Sequence, residues 1–387
     1  MKKLNKIIGA ALVTLSLNSF AQDCPVMSGD YFIGKNEESD FNNIGGAFDA
    51  LECGGVEGPV TFHIASGVYN ERVALTGVSG ASALNTITFT SESGVNTDVT
   101  ISHEKGDATL ILVDASFISF ENITIDHKTA TYGNCMRVDG GASNLHFKGM
   151  VFNGVEMPRT GVTNATVYFT SMASKNEIAF DACEINNGSM GICKEGVKDG
   201  AADSKTSIHK TMFNQHEAGI ALANEDAPMI TDNTINTLSS YKNFTAMHLD
   251  NVSNQIVVTK NAVNTSGSAM GLVMNNCVAK ADATGQITNN SFTIGSSHNA
   301  YGMMITGSTN HQAFDFNKVK LSVNATDGST QAFCKNTTSG SDIYLENSIF
   351  LDSNKGVYTV FGNSYKDHSD SKNASALSAS ADGVSAE

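Results

Sequence analysis

Ile287-Thr288-Asn289-Asn290-Ser291-Phe292 decides the fold, because its frame recurs. The pattern is apolar-x-x-Asn-x-apolar. It returns as Ile230/Asn233/Ile235, Val258/Asn261/Val263, Phe314/Asn317/Val319 and Tyr344/Asn347/Ile349. The asparagines Asn233, Asn261, Asn290, Asn317 and Asn347 are 28, 29, 27 and 30 residues apart. A near-constant step in this range marks a solenoid. Upstream the frame continues with another residue at the asparagine position: Phe120/Ile123/Ile125, Phe147/Met150/Phe152, Phe180/Cys183/Ile185 and Ile208/Thr211/Phe213. Val60-Thr61-Phe62 and Ile87-Thr88-Phe89 are degenerate copies, which brings the count to about eleven coils.

Each copy holds short runs of alternating apolar residues, broken by Gly, Asn, Asp and Ser, which is the pattern of short strands. No long stretch inside the repeats has a helical period, so helical repeats are excluded, and the Leu-x-x-Leu-x-Leu spacing of leucine-rich repeats is absent. A parallel β-helix remains. An inward asparagine at one turn of each coil can bond to the amides above and below it, about 4.8 Å away, and to the turn backbone. On that reading, leucine at Asn290 should hurt much less than aspartate, which would bury a charge.

With this ladder the chain resembles the pectate-lyase-like superfamily of right-handed parallel β-helices. Gly58-Pro59-Val60-Thr61-Phe62-His63-Ile64-Ala65-Ser66-Gly67-Val68-Tyr69-Asn70-Glu71, then Asn85-Thr86-Ile87-Thr88-Phe89-Thr90-Ser91, is similar to the opening of secreted β-helix proteins common in Bacteroidetes. The likeness covers about residues 30–130 by motif and 30–360 by repeat. It implies an all-β, right-handed parallel β-helix solenoid and leaves function open, because one fold hosts many activities.

Residues 1–21 read as a signal peptide: Lys2, Lys3 and Lys6, an apolar run from Ile7 to Leu17, then Ser19-Phe20-Ala21. This places the chain in the periplasm, at the cell surface or outside the cell. Residues 22–58 form an N-terminal cap, with a short helix expected from Phe41, Ile44, Phe48 and Leu51 and a stop at Gly54-Gly55. Residues 59–363 are the β-helix, and 364–387 are a Ser/Ala-rich tail expected to be disordered.

The net charge is −15, and removing the three leader lysines leaves about −18. Only three arginines occur, Arg72, Arg137 and Arg159. Such a charge disfavours nucleic acid and anionic membranes. It also disfavours acidic polysaccharides unless Ca²⁺ bridges them. Trp, a common stacking platform for sugars, is absent. The expected partner is an extracellular polysaccharide or cell-surface glycan, bound by a monomer without membrane insertion. Of seven cysteines, Cys24 and Cys53 are the favoured disulfide, tying the arm to the cap, and Cys183–Cys193 is a second candidate. No cysteine or histidine spacing suggests zinc.

In the resembling superfamily the ladder turn separates the second and third sheets, and catalytic clefts lie on the outer face of the first. Carried over, this places Arg137, Asp139, His248 and Asp250 outward on the first sheet, with Met136, Val138, Leu222, Met247 and Leu249 inward. Glu195 is expected beside them. A lyase acting on uronates needs a base and a cation, and a hydrolase needs two carboxylates. Asp139 and Asp250 lie about four coils apart, on the order of 19 Å, so they are not one pair.

Ile125-Asp126-His127 resembles the Ile-Asp-His of pectate lyases, but their Arg-x-x-x-x-Arg-type partner is missing, and Met157-Pro158-Arg159 offers only one arginine in its place. Gly67-Val68-Tyr69-Asn70-Glu71 resembles the opening of pectin methylesterases, but their remaining motifs are missing, as are those of polygalacturonases. Asn224-Glu225-Asp226 is a candidate Ca²⁺ loop through its oxygens. The sequence therefore favours a carbohydrate-binding or adhesive solenoid. A polysaccharide lyase or glycoside hydrolase on the Arg137/Asp139 or His248/Asp250 face is the alternative.

Overall fold

The computed structural model describes residues 24–129, 132–156, 160–198, 202–215, 217–237, 244–265, 269–296, 300–323, 330–338, 341–352, 357–360 and 365–367. The expected leader, Arg159 and most of the C-terminal tail lie outside these residues. Among the described residues the chain is a parallel β-solenoid of three sheets, whose strands are counted over those residues. Sheet 1 has ten strands, from Val73–Leu75 to Thr330–Thr337. Sheet 2 has fifteen and precedes the ladder turn, and sheet 3 has twelve and follows it. The ten strands of sheet 1 make about ten turns, and each of the eleven repeat copies read from the sequence falls on a strand of sheet 2.

Inward residues stack in register from coil to coil. Phe62, Phe89, Phe120, Phe147 and Phe180 face one another down sheet 2. Their ring centroids are 4.6, 5.2, 6.0 and 4.8 Å apart and nearly parallel. Sheet 3 supplies Ile125, Phe152, Ile185, Phe213, Ile235 and Val263 from the opposite wall. All of these are buried. Burial of such rows, at about 25 cal/mol per Å² of apolar surface, is what holds successive coils together.

The ladder is real over four asparagines. Asn233, Asn261, Asn290 and Asn317 are each 1% exposed. Each of the first three donates its Nδ2 to the Oδ1 of the next, at 2.9–3.0 Å. The fifth expected member is corrected: Asn347 is exposed and bonds Asp315, and Ser348 takes the ladder position, its Oγ accepting the Asn317 N–H at 3.1 Å. The residue just before the ladder position is always left-handed: φ is 58° at Asp232, 57° at Lys260, 57° at Asn289, 51° at Phe316 and 42° at Asn347. Asn347 is therefore the turn residue, and the copy there runs one residue later, with Leu345 in the core.

The cap is a strand, Met27–Ile33, and a helix, Ile44–Gly54. The strand pairs with Val56–Ile64 and so opens sheet 2, making part of the cap continuous with the solenoid. The helix starts where the Asn43 side chain accepts the Gly46 N–H at 2.8 Å. The Glu71 carboxylate receives the Ile44 and Gly45 N–H groups, both at 3.0 Å, as a negative charge at a helix N-terminus should. The helix ends at Gly55, φ 67°, whose N–H returns to the Leu51 carbonyl. Ile44, Ala47, Phe48 and Leu51 cover the first coil, with Phe48 edge-on to Phe89 at 5.1 Å. Cys24 and Cys53 form a disulfide. Cys183 and Cys193 do not; both are buried thiols pushed up to about 12 by desolvation, which makes them inert. At the far end, Tyr365–Asp367 pairs antiparallel with Ile343–Glu346, so this part of the expected tail is a strand.

Candidate functional site

Sheet 1 presents the expected residues in two outward rows. One row runs Arg137, Tyr168, Cys193, Ala221, His248, Val273 by register. The other holds Asp139, Ala223, Asp250 and Asn275 at the strand ends, with Glu195 just past Lys194. Met136, Val138, Leu222, Met247 and Leu249 are buried beneath them.

Arg137 binds Asp139 at 2.8 Å and also contacts Asp107, which Arg72 reaches at 3.2 Å. Against the desolvation of its site, the Arg137 and Arg72 guanidinium groups hold Asp107 down to about 2. Tyr168, which lies between Arg137 and Cys193 in the row, donates its hydroxyl to Glu195 at 2.7 Å. Burial and the Glu195 carboxylate push the phenol well above its ordinary value, so it does not act as an anionic base. The sequence reading missed Tyr168. Its strand is only three residues long and follows an irregular stretch, so the repeat frame did not reach it.

Ala221 and Ala223 separate this group from His248 and Asp250. His248 is exposed, and the sheet beneath lowers its pKa by desolvation, with Asp250 opposing. Asp250 accepts from Asn275 Nδ2 at 2.7 Å. The face therefore holds two separate polar groups, and each acid is engaged by a neighbour.

The Ile125-Asp126-His127 motif divides. His127 is 2% exposed, with Nε2 3.1 Å from the Tyr132 carbonyl and Nδ1 3.1 Å from Thr109 Oγ1. A carbonyl requires Nε2 to carry the hydrogen. Burial lowers the imidazole pKa and favours the neutral ring, and the single Thr109 hydroxyl hydrogen is shared between Nδ1 and the Asp126 carbonyl, 2.9 Å away. The ring is a fixed part of the turn. Gly133 permits this: its φ is 116°, and a Cβ there would fall on His127 Nε2.

Asp126 points outward and begins a feature the sequence reading did not find. Asn153 donates to Asp126 Oδ1 at 2.8 Å, Asn186 to Asn153 at 3.1 Å, Asn214 to Asn186 at 2.8 Å, and Asn236 to Asn214 at 3.1 Å. These amides stand in register on the outer face of sheet 3. Every donor points toward the N-terminal end, and the row terminates on the Asp126 carboxylate. An amide has two hydrogens and two lone pairs, and the row uses one of each at Asn214. A half-buried, pre-ordered line of amides about 4.8 Å apart thus faces solvent, with the second hydrogen of Asn186 already given to Glu184 at 2.9 Å. At the Asp126 end it opens into a cleft of about 680 Å³ lined by Asp126, Lys128, Asn153, Glu156 and Asn187.

The candidate Ca²⁺ loop is not assembled as expected. Glu225 is fully buried and paired with Lys194, and Asp226 accepts from Ser253 at 3.2 Å and from Asn254. Tyr69 and Glu71 are structural: Tyr69 is 5% exposed with its hydroxyl on the Ala65 carbonyl at 2.8 Å, and Glu71 caps the helix. No group of three His, Cys, Asp or Glu side chains among the described residues could hold a metal ion. No helix among the described residues is long and apolar enough to cross a membrane.

No protein-family model matches the chain, and no curated protein resembles it in sequence. Solved structures similar to it include three β-helix proteins. A pectin methylesterase from Aspergillus niger is 14% identical, covering 71% of this chain and 88% of its own, with a TM-score of 0.42. PfbA, a surface adhesin of Streptococcus pneumoniae, is 11% identical over 86% and 100%, with a TM-score of 0.44. Pectate lyase Pel9A is 12% identical over 79% of each chain, with a TM-score of 0.43. At these values the likenesses say nothing of activity, and the fold stands on the strand registers.

Proposed function

We propose that this chain is an exported β-helix protein that binds a hydroxyl-rich polysaccharide, extracellular or on a cell surface, along the outer face of sheet 3. The observation that carries the reading is the amide row from Asp126 through Asn153, Asn186 and Asn214 to Asn236, opening into the adjacent cleft. A glycan chain offers vicinal hydroxyls, each both donor and acceptor, and a fixed amide line satisfies them without ordering new side chains. The ligand is neutral, or uronate-containing with Ca²⁺ as the bridge, since the chain carries a net charge of −15. The protein acts as a monomer, delivered to the periplasm, cell surface or medium by the leader at 1–21.

The second reading is a polysaccharide lyase or glycoside hydrolase. It is favoured by Arg137, Asp139, Tyr168 and Glu195 standing on three successive coils. The mutual pairing of these groups and the raised phenol pKa speak against it.

A panel of pectate, alginate, glycosaminoglycans and neutral glycans, with and without Ca²⁺, separates the two. Retardation in affinity gels without new reducing ends or unsaturated products is expected. Product formation lost in Arg137→Ala or Tyr168→Phe would replace the binding reading with the enzyme.

A further inference from the structure

Lys194 faces inward, in a row where Phe169 precedes it and Leu222 follows. Its side chain is 0% exposed, as are those of Asp203 and Glu225. Two short strands bring the acids there: Asp203–Ser204 pairs with Glu225–Asp226, and Ser204 pairs with Asn176. Lys194 Nζ lies 2.7 Å from Asp203 Oδ2, in contact with Glu225 Oε1, and 3.1 Å from the Lys175 carbonyl.

The two acids are held differently. Asp203 Oδ1 accepts the Lys175 backbone N–H at 2.9 Å, while Oδ2 lies 2.7 Å from the Lys194 ammonium group and accepts no hydrogen bond among the described residues. Glu225 Oε2 accepts the Thr206 hydroxyl at 2.9 Å and leaves Oε1 on the amine. An amine, a carboxyl carbon with an unencumbered oxygen, a backbone N–H at the other oxygen and a second carboxyl touching the amine are the parts of an amide-forming site.

We propose that Lys194 and Asp203 condense into a side-chain isopeptide bond, with Glu225 as the proton-transfer group. Glu225 takes a proton from the Lys194 ammonium group. The Nζ lone pair then attacks Asp203 Cγ, forming the Nζ–Cγ bond. The negative charge gathers on Oδ1, against the Lys175 N–H, which acts as the oxyanion donor. Glu225 returns its proton to Oδ2, a second proton from Nζ follows, and the Cγ–Oδ2 bond breaks to release one water. An ammonium and a carboxylate become an amide and water, and no oxidant or co-reactant is needed.

Two features of the site drive the step. Condensation removes a buried opposite-charge pair, whose desolvation is costly even when well paired. Burial also raises the Glu225 carboxyl above its ordinary value, which suits it to accept the lysine proton. The three side chains are 0% exposed, which shields the amide from bulk water and so from hydrolysis.

Peptide mapping of the folded full-length chain tests this. The expected result is a branched peptide joining the Lys194 and Asp203 segments, lighter by one water than their sum. In Glu225→Gln the two linear peptides should return. Asp203→Asn should give the same branched peptide by loss of ammonia. Linear Lys194 and Asp203 peptides at full mass from the folded wild-type chain would overturn the proposal whatever the variants do. A branched peptide that persists in Glu225→Gln would overturn the role of Glu225.

Discussion

Asn261 Oδ1 accepts two hydrogens from Asn233, the backbone N–H at 3.1 Å and the side-chain amide at 2.9 Å. Asn290 repeats the arrangement one coil on: its Oδ1 takes the same two groups of Asn261, and its Nδ2 donates to the Val258 carbonyl at 2.8 Å and to Asn317 at 2.9 Å. All four bonding positions of the amide are filled, so the ladder satisfies the backbone of the turn as well as itself.

Asn290→Leu therefore leaves two buried donors and two acceptors short of a partner, a cost on the order of 3 kcal/mol or more. Asn290→Asp keeps both acceptances but sets an oxygen against the Val258 carbonyl unless it is protonated. The expectation that leucine is much the milder change did not count these lost bonds. The aspartate's folded pKa would be raised, so its stability is greatest below the unfolded value of about 3.9 and falls as pH rises through the folded value. Melts at about pH 4 and about pH 8 should show this slope for the aspartate alone. A leucine variant that melts with the wild type would refute the geometry.

His127 gives the wild-type chain a slope of the opposite sign. Burial lowers its pKa from 6.5, so below that value the unfolded chain binds the proton that the folded chain refuses. Its stabilising contribution is complete above 6.5 and declines as pH falls toward the folded value. Denaturant melts of His127→Gln should show a weaker loss between about pH 7 and about pH 5 than the wild type. Equal slopes would mean that the imidazole is solvated.

Gly271 lies inside the sheet 1 strand Ala269–Asn275. A Cβ there would lie 2.5 Å from the Gly302 carbonyl and 2.7 Å from the Phe292 ring. Gly271→Ala should cost about 1–3 kcal/mol through overpacking. A melting temperature unchanged by the substitution would show that the coil has room.

The Glu71 carboxylate joins the first β-helix turns to the cap helix, so Glu71→Ala should destabilise by about 1–2 kcal/mol and raise amide exchange in residues 44–48 first. Loss spread evenly over all coils would contradict a local cap.

The solenoid was legible because inward positions repeat in register: a buried amide between apolar residues is rare enough to carry a period. The cap helix was legible from Ile44, Phe48 and Leu51. Asn347 misled because Glu346-Asn347-Ser348 places an asparagine at the left-handed turn position, one residue before the ladder. The outer amide row was not legible because its steps vary with loop length, 33 residues from Asn153 to Asn186 but 22 from Asn214 to Asn236. Outward asparagines also look like any solvated residue until registers align them. Alternation correctly turned Arg137, Asp139, His248 and Asp250 outward, yet could not say which acids are already paired. The buried Lys194 carried a usable signal: it shares the parity of Ile192, so a strand reading places a lysine in the core.

The most direct test of glycan recognition by sheet 3 compares Asn186→Ala/Asn214→Ala with Arg137→Ala on whichever polysaccharide retards the wild-type chain in affinity gels. The amide double variant should bind on the order of tenfold or more weakly, as expected for two lost hydrogen bonds, with Arg137→Ala unchanged. Full retardation of the double variant together with loss in Arg137→Ala would place recognition on sheet 1 and contradict the account.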